Sequence, residues 1–225
     1  MRTFQLICSF LTLTFITTTA LAQEPPDKRP WWFIFLETGR PTPADKAAVQ
    51  KMQAGHIENF KRLHGEKKLF AAGPLADPTR KKRGIVVVRA KSKKELLSYF
   101  EPDDYLREGY MTANAERCTV HQPLNSEGID PAGIEEVRIV QITRPEKKPT
   151  RKERQANQEF LESVVKQGTA GAWYTFEAGP TAEVLFCRTT NTTMLEGIFA
   201  EVPTIKAGKA SALIWPQWLS KGVMK

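Results

Sequence analysis

The chain has 225 residues, enough for one large domain or two of roughly 100 residues each. Its 41% hydrophobic and 26% charged residues exclude a disordered tail, a collagen-like chain and a multi-span membrane protein. Lys and Arg outnumber Asp and Glu by 33 to 25, a net charge of +8 that suits an anionic environment or ligand without establishing nucleic-acid binding. Three Cys are too few for a disulfide framework, and no Cys-x-x-Cys pair is present for zinc.

Residues 1–22 read as a signal peptide. Residues 6–21 are apolar apart from Thr, Ser and Cys, and Ala20-Leu21-Ala22 places small residues where a signal peptidase reads, ahead of Gln23. The run is too short and too Thr-rich for a membrane span. The remaining chain is therefore expected to be secreted or periplasmic, with no stable membrane span. Cys118 and Cys187 stay with it. An oxidising compartment permits a bridge between them, although two buried free thiols are the expectation.

Residues 23–31, with three prolines, form a linker. Residues 32–37 (WFIFLE) are a continuous apolar run of strand length. A helical pattern then opens at Thr42-Pro43-Ala44-Asp45 and places Val49, Met52, His56, Phe60 and Leu63 on one stripe. Residues 69–72 and 84–90 (GIVVVRA) read as strands flanking a polar hairpin that holds Gly73-Pro74, Asp77-Pro78 and the basic run 80–83. Ser92 caps a second helix bearing Leu96, Leu97 and Phe100, and a last strand covers roughly residues 110–120. The order βαββαβ is the ferredoxin-like split unit, here over residues 32–124.

A joint over residues 125–136 leads into the same order again, over residues 137–225. It comprises a strand at 137–143, a helix at 150–167, hairpin strands at 172–177 and 182–189, a short helix at 191–200 and a closing strand at 209–215. The two runs align by number. Phe60 and Leu63 return 101 residues later as Leu161 and Val164, and Leu96, Phe100 and Gly109 return 99 residues later as Leu195, Phe199 and Gly208. The fold expected is α+β, built from two duplicated units whose sheets each have an apolar face to bury. Packing those sheets face to face makes an intrachain pseudo-dimer, to which further oligomerisation can be added.

His56 is the residue with most chemical content. It lies on the apolar stripe of its helix, so its imidazole faces the sheet and needs a hydrogen-bond partner. Asp103-Asp104-Tyr105-Leu106-Arg107-Glu108-Gly109 is the second segment of interest, although two acids before a Tyr and a Gly also suit a plain helix end and turn. His64 lies about 80° around the helix from His56 at 100° per residue, and His121 stands alone at a strand end. No metal site is expected from such spacing. The basic clusters at 80–83 and 144–154 read as a solvated hairpin tip and helix start, with no nucleic-acid partner, since no stacking aromatics accompany them.

Taken together, these residues resemble the YciI-related (YCII) family. His56 is followed seventeen residues later by Gly73 of Ala72-Gly73-Pro74, and Asp103 to Gly109 keeps the family's six-residue Asp-to-Gly spacing, with Tyr105 as its aromatic residue. Asp104 replaces the family's Pro and Glu108 its small residue. The resemblance implies a dimeric α+β-barrel fold and a His–Asp dyad of His56 and Asp103, with Asp104 as the alternative acid. At the repeat offsets His56 becomes Asn157 and Asp103 becomes Val202, so the second unit is expected to be catalytically silent. Two functions follow as expectations. One is an exported lyase, isomerase or hydrolase that moves protons on an unknown small molecule without an organic cofactor. The other is a non-catalytic small-ligand-binding or structural module of the cell envelope. A solvent-open cleft beside His56 favours the first, and complete burial the second.

Overall fold

The structure is a computed structural model describing residues 27–224; the signal peptide expected over residues 1–22 lies outside them. The first half runs β1 (Trp31–Thr38), α1 (Lys46–Gly65), β2 (Leu69–Pro74), β3 (Lys82–Arg89), α2 (Lys93–Ser98), α3 (Asp104–Arg107) and β4 (Met111–Gln122). The second runs β5 (Asp130–Thr143), α4 (Arg151–Lys166), β6 (Ala170–Phe176), β7 (Thr181–Cys187), α5 (Thr192–Ala200), α6 (Pro203–Lys206) and β8 (Ala212–Lys221).

Local chemistry explains where these elements begin. Asp45 accepts the amide of Ala47 at the start of α1, and Ser92 accepts that of Glu95 at the start of α2. Thr150 and Glu153 form a reciprocal capping box on α4, so orphan amides of each first turn find side-chain partners.

All eight strands join one antiparallel sheet in the order β2-β3-β1-β4-β6-β7-β5-β8. β4 pairs with β6 through Cys118, Thr119, Val120 and Gln122. At the other end, Leu75 bridges Gln217, and the Ala76 amide donates to the Pro216 carbonyl at 3.0 Å. The sheet thereby curls into a nearly closed barrel, with each half contributing four strands. The expected α+β pseudo-dimer is the fold found, with the halves joined edge to edge as well as face to face.

Side-chain alternation sets the layers. Phe33, Phe35, Ile85 and Val87 enter the barrel interior and meet Tyr174, Phe176 and Phe186 of the second half. Phe33 reaches those three rings at centroid distances of 5.5, 5.3 and 6.2 Å, contacts worth about 0.5–1.5 kcal/mol each beyond area burial. Ile34, Val86 and Val88 point outward under the helices of the first half, as Val140 and Leu185 do in the second. Both sheet faces are covered, which is why the β1 run is continuously apolar. Cys118 lies in the barrel interior and Cys187 in the helix-side core of the second half, and both thiols are free. Burial raises each to about 12, so neither serves as a thiolate nucleophile.

Three expectations are corrected. β5 starts at Asp130, inside the stretch read as a joint, and has a pairing irregularity between Asp130 and Ile134. β8 covers Ala212–Lys221 rather than 209–215: Pro216 lacks an amide, but the ladder continues past it. Lys82 does not sit on a solvated hairpin tip. Its ammonium donates to Gln141 at 2.8 Å and lies over the rings of Phe35 and Trp215, and desolvation lowers its pKa.

Candidate functional site

The sequence stripe on α1 turns His56 toward the sheet together with Met52 and Leu63. Phe60 packs against its ring at a centroid distance of 4.2 Å, and Tyr105 approaches edge-on at 5.6 Å and 89°. The same face also carries Asn59, which the apolar pattern missed. Asn59 donates to the Tyr99 carbonyl at 3.1 Å and buttresses Arg62, tying α1 to the end of α2. A polar residue amid an apolar stripe, one turn from His56, is the signal for it.

Asp103 is the N-cap of α3, with φ −88° and ψ 108°. Its Oδ1 accepts the Tyr105 amide at 3.0 Å, while Oδ2 lies 2.6 Å from His56 Nδ1. Asp103 has 0% exposure, so the helix cap and the imidazole together satisfy a carboxyl group shut off from water. The structure thus brings His56 and Asp103 together across 47 residues. Asp104 does not join them: its carboxylate pairs with Arg107 on the surface of α3. His64 is exposed on α1.

His56 is 7% exposed, and the surface it keeps borders a cavity of about 380 Å³. Leu36, Phe60 and Met111 make apolar wall, Gln53, Arg83 and Ser220 supply polar groups, and Ile57 and Ile134 stand at its edge with 42% and 73% exposure. The cavity spans the β2–β8 boundary, so both halves of the chain build it. Gly73 of the Ala72-Gly73-Pro74 motif explains how they come so close: a Cβ there would lie 1.9 Å from the Trp218 carbonyl oxygen. With Nδ1 facing Asp103, Nε2 is the ring nitrogen left for a molecule in the cavity. Among the described residues no three His, Cys, Asp or Glu side chains gather as metal ligands.

In the second half Val202 caps α6, as Asp103 caps α3, but without a side-chain hydrogen bond. Asn157 turns instead to Thr204, donating to its hydroxyl at 2.8 Å and accepting its amide at 3.1 Å. His121, read as isolated, stacks on Trp173 and contacts Thr175.

No protein-family model and no curated protein matches this sequence. Among solved structures, a proposed monooxygenase of Fusobacterium nucleatum superimposes with a TM-score of 0.54 at 8% identity, covering 86% of this chain and 95% of that one. A proposed monooxygenase of Lactobacillus acidophilus gives 0.48 at 10% identity over 84% and 93% of the two chains. A heme-binding protein of Thermus thermophilus gives 0.48 at 13% identity over 86% and 91%. The first of these likenesses, together with the strand order, identifies the architecture as a dimeric α+β barrel.

Proposed function

We propose that the cavity beside His56 is an acid/base catalytic site, and that the chain is a YciI-like enzyme of small-molecule chemistry acting outside the cytoplasm. One observation carries the catalytic reading: a buried carboxyl group holds one nitrogen of an imidazole that still borders an open cavity. Nε2 takes a proton from the substrate or returns it, while Asp103 fixes the ring and offsets the positive charge as the proton arrives. That is the chemistry of a lyase, isomerase or hydrolase step, and proton transfer of this kind needs no organic cofactor. The export reading rests on Ala20-Leu21-Ala22 behind its apolar run.

The second reading, a non-catalytic ligand-binding or structural module, draws on Asn157–Thr204, which ties the corresponding helices of the second half, α4 and α6, with neutral groups. A broad screen of small-molecule lyase, isomerase and hydrolase substrates, run beside His56→Ala, separates the two. The expected result is an activity that falls by about 10²–10⁴-fold in the variant; activity undiminished in His56→Ala overturns the catalytic reading. Mass spectrometry of the native protein is expected to find Gln23 at the N-terminus, and Met1 there would overturn export.

A further inference from the structure

The cavity of the first half has a counterpart that acid/base chemistry at His56 does not use. It is also about 380 Å³ and lies against α4, β6 and β7, reaching β4 across the other boundary between the halves. Asn157 occupies its helix wall, as His56 does in the first. On the strand wall, Trp173, Thr175, Glu183 and His121 stand at the repeat positions of Ala72, Pro74, Gly84 and Ser220. Polar chemistry has moved from the helix to the strands.

These four side chains form one connected group. Thr175 Oγ1 donates to Glu183 Oε2 at 2.6 Å, and Trp173 Nε1 donates to the same oxygen at 2.8 Å. His121 Nε2 lies 2.8 Å from Thr175 Oγ1; because the hydroxyl proton goes to Glu183, the imidazole is the donor there. The His121 ring stacks on Trp173 with centroids 3.9 Å apart and 18° between planes. Burial raises Glu183 to about 7, so near neutral pH it is not a full fixed negative charge. Three cations, Arg144, Lys148 and Arg154, line the same cavity. All three are exposed; Arg144 is held by the carbonyls of Phe176, Gly179 and Thr181, and Arg154 donates one N–H to the Pro149 carbonyl. Ile142 and Phe176 add apolar wall.

We propose that this second cavity binds a small organic acid, its carboxylate held by Lys148 and Arg154 and its apolar body lying against the His121–Trp173 stack. The balance of charge selects an anion over an amine, since three cations face one partly buried carboxyl group. The volume suits a ligand of aromatic-acid size. This binding does not depend on catalysis at His56.

Benzoate is the probe, titrated into the purified, isotope-labelled protein at neutral pH, with benzylamine as a probe of similar shape and opposite charge. The readout is the Trp173 indole N–H signal, identified by its loss in Trp173→Phe. Benzoate is expected to shift that signal saturably and benzylamine to leave it in place. The double variant K148Q/R154Q, altered only at exposed positions, is expected to weaken benzoate about tenfold, and the shift should persist in His56→Asn. Absence of a saturable benzoate shift, saturation by benzylamine in its place, or unchanged affinity in K148Q/R154Q overturns the proposal.

Discussion

The two halves of the barrel solve one packing problem with different chemistry. Each must tie its long helix to the short helix before its last strand, and each does so through a polar pair separated by 47 residues, His56–Asp103 in one and Asn157–Thr204 in the other. The Asn–Thr pair makes two neutral hydrogen bonds and contains no group that titrates near neutral pH. Tethering therefore requires neither an imidazole nor a carboxylate. What the first half adds is an imidazole held by a buried carboxyl group beside a cavity. The boundaries between the halves differ as well: β4 and β6 pair through four residues of β4, whereas β2 and β8 meet at the Leu75–Gln217 bridge.

Asp103→Asn tests this comparison most severely. The amide oxygen can still cap Tyr105, so the tether and the helix survive, with a stability change of about 1 kcal/mol. Its NH₂ group, however, then faces His56 Nδ1 and requires that nitrogen to accept. The proton moves to Nε2, which can no longer act as a base. Once a substrate is found, turnover is expected to fall by about 10²–10⁴-fold while the unfolding midpoint barely moves. Equal turnover in the two proteins would mean that the pair is only a tether.

Gly73→Ala probes the looser boundary. The added Cβ would meet the Trp218 carbonyl oxygen at 1.9 Å, a backbone atom that no rotamer change can move. β2 and β8 must separate, with an expected loss of about 3 kcal/mol and faster hydrogen exchange at the Ala76 amide. The repeat position in the second half holds Tyr174, fully buried and accepting the Leu124 amide at 3.2 Å. There the boundary is built around a large side chain. Unchanged denaturant unfolding in Gly73→Ala would show that Gly73 and the Trp218 carbonyl do not approach closely in solution.

Much of this architecture was legible because it repeats. Continuous apolar runs such as residues 32–37 and 84–90 made strands conspicuous, and the offsets of 101 and 99 aligned the halves without reference to any contact. His56 was legible from its place on an apolar helical stripe. The choice of Asp103 over Asp104 came from the spacing to Gly109 that the family resemblance supplied, and the geometry puts the carboxyl of Asp103, not that of Asp104, on the imidazole. Strand ends were harder: Pro216 and the Asp130–Ile134 irregularity carry turn-like residues inside ladders that continue through them. The second cavity was invisible because His121, Trp173, Thr175 and Glu183 come from three strands with no shared motif. Only barrel closure brings β4 beside β6.

The smallest expected effect separates the two cavity walls by pH. Gly84 of the first half, where a Cβ would lie 2.8 Å from the Gly73 carbonyl oxygen, is replaced at the repeat position by Glu183. Burial raises that carboxyl from 4.5 to about 7. Between those values the folded chain keeps a proton that the unfolded chain has released. Stability therefore falls as pH rises through that window and levels off above it, because the folded state binds more protons there. Glu183→Gln keeps the side chain's length and an oxygen for Thr175 and Trp173 while removing the titration. The variant is expected to match the parent at about pH 4 and to exceed its stability by on the order of 2 kcal/mol at about pH 8. Urea midpoints of both proteins at the two pH values check this. A difference that does not change with pH would place an ionised Glu183 in the folded chain, already compensated by Arg144, Lys148 and Arg154. The cavity would then set its three cations against one full negative charge, a smaller excess for an organic acid to meet.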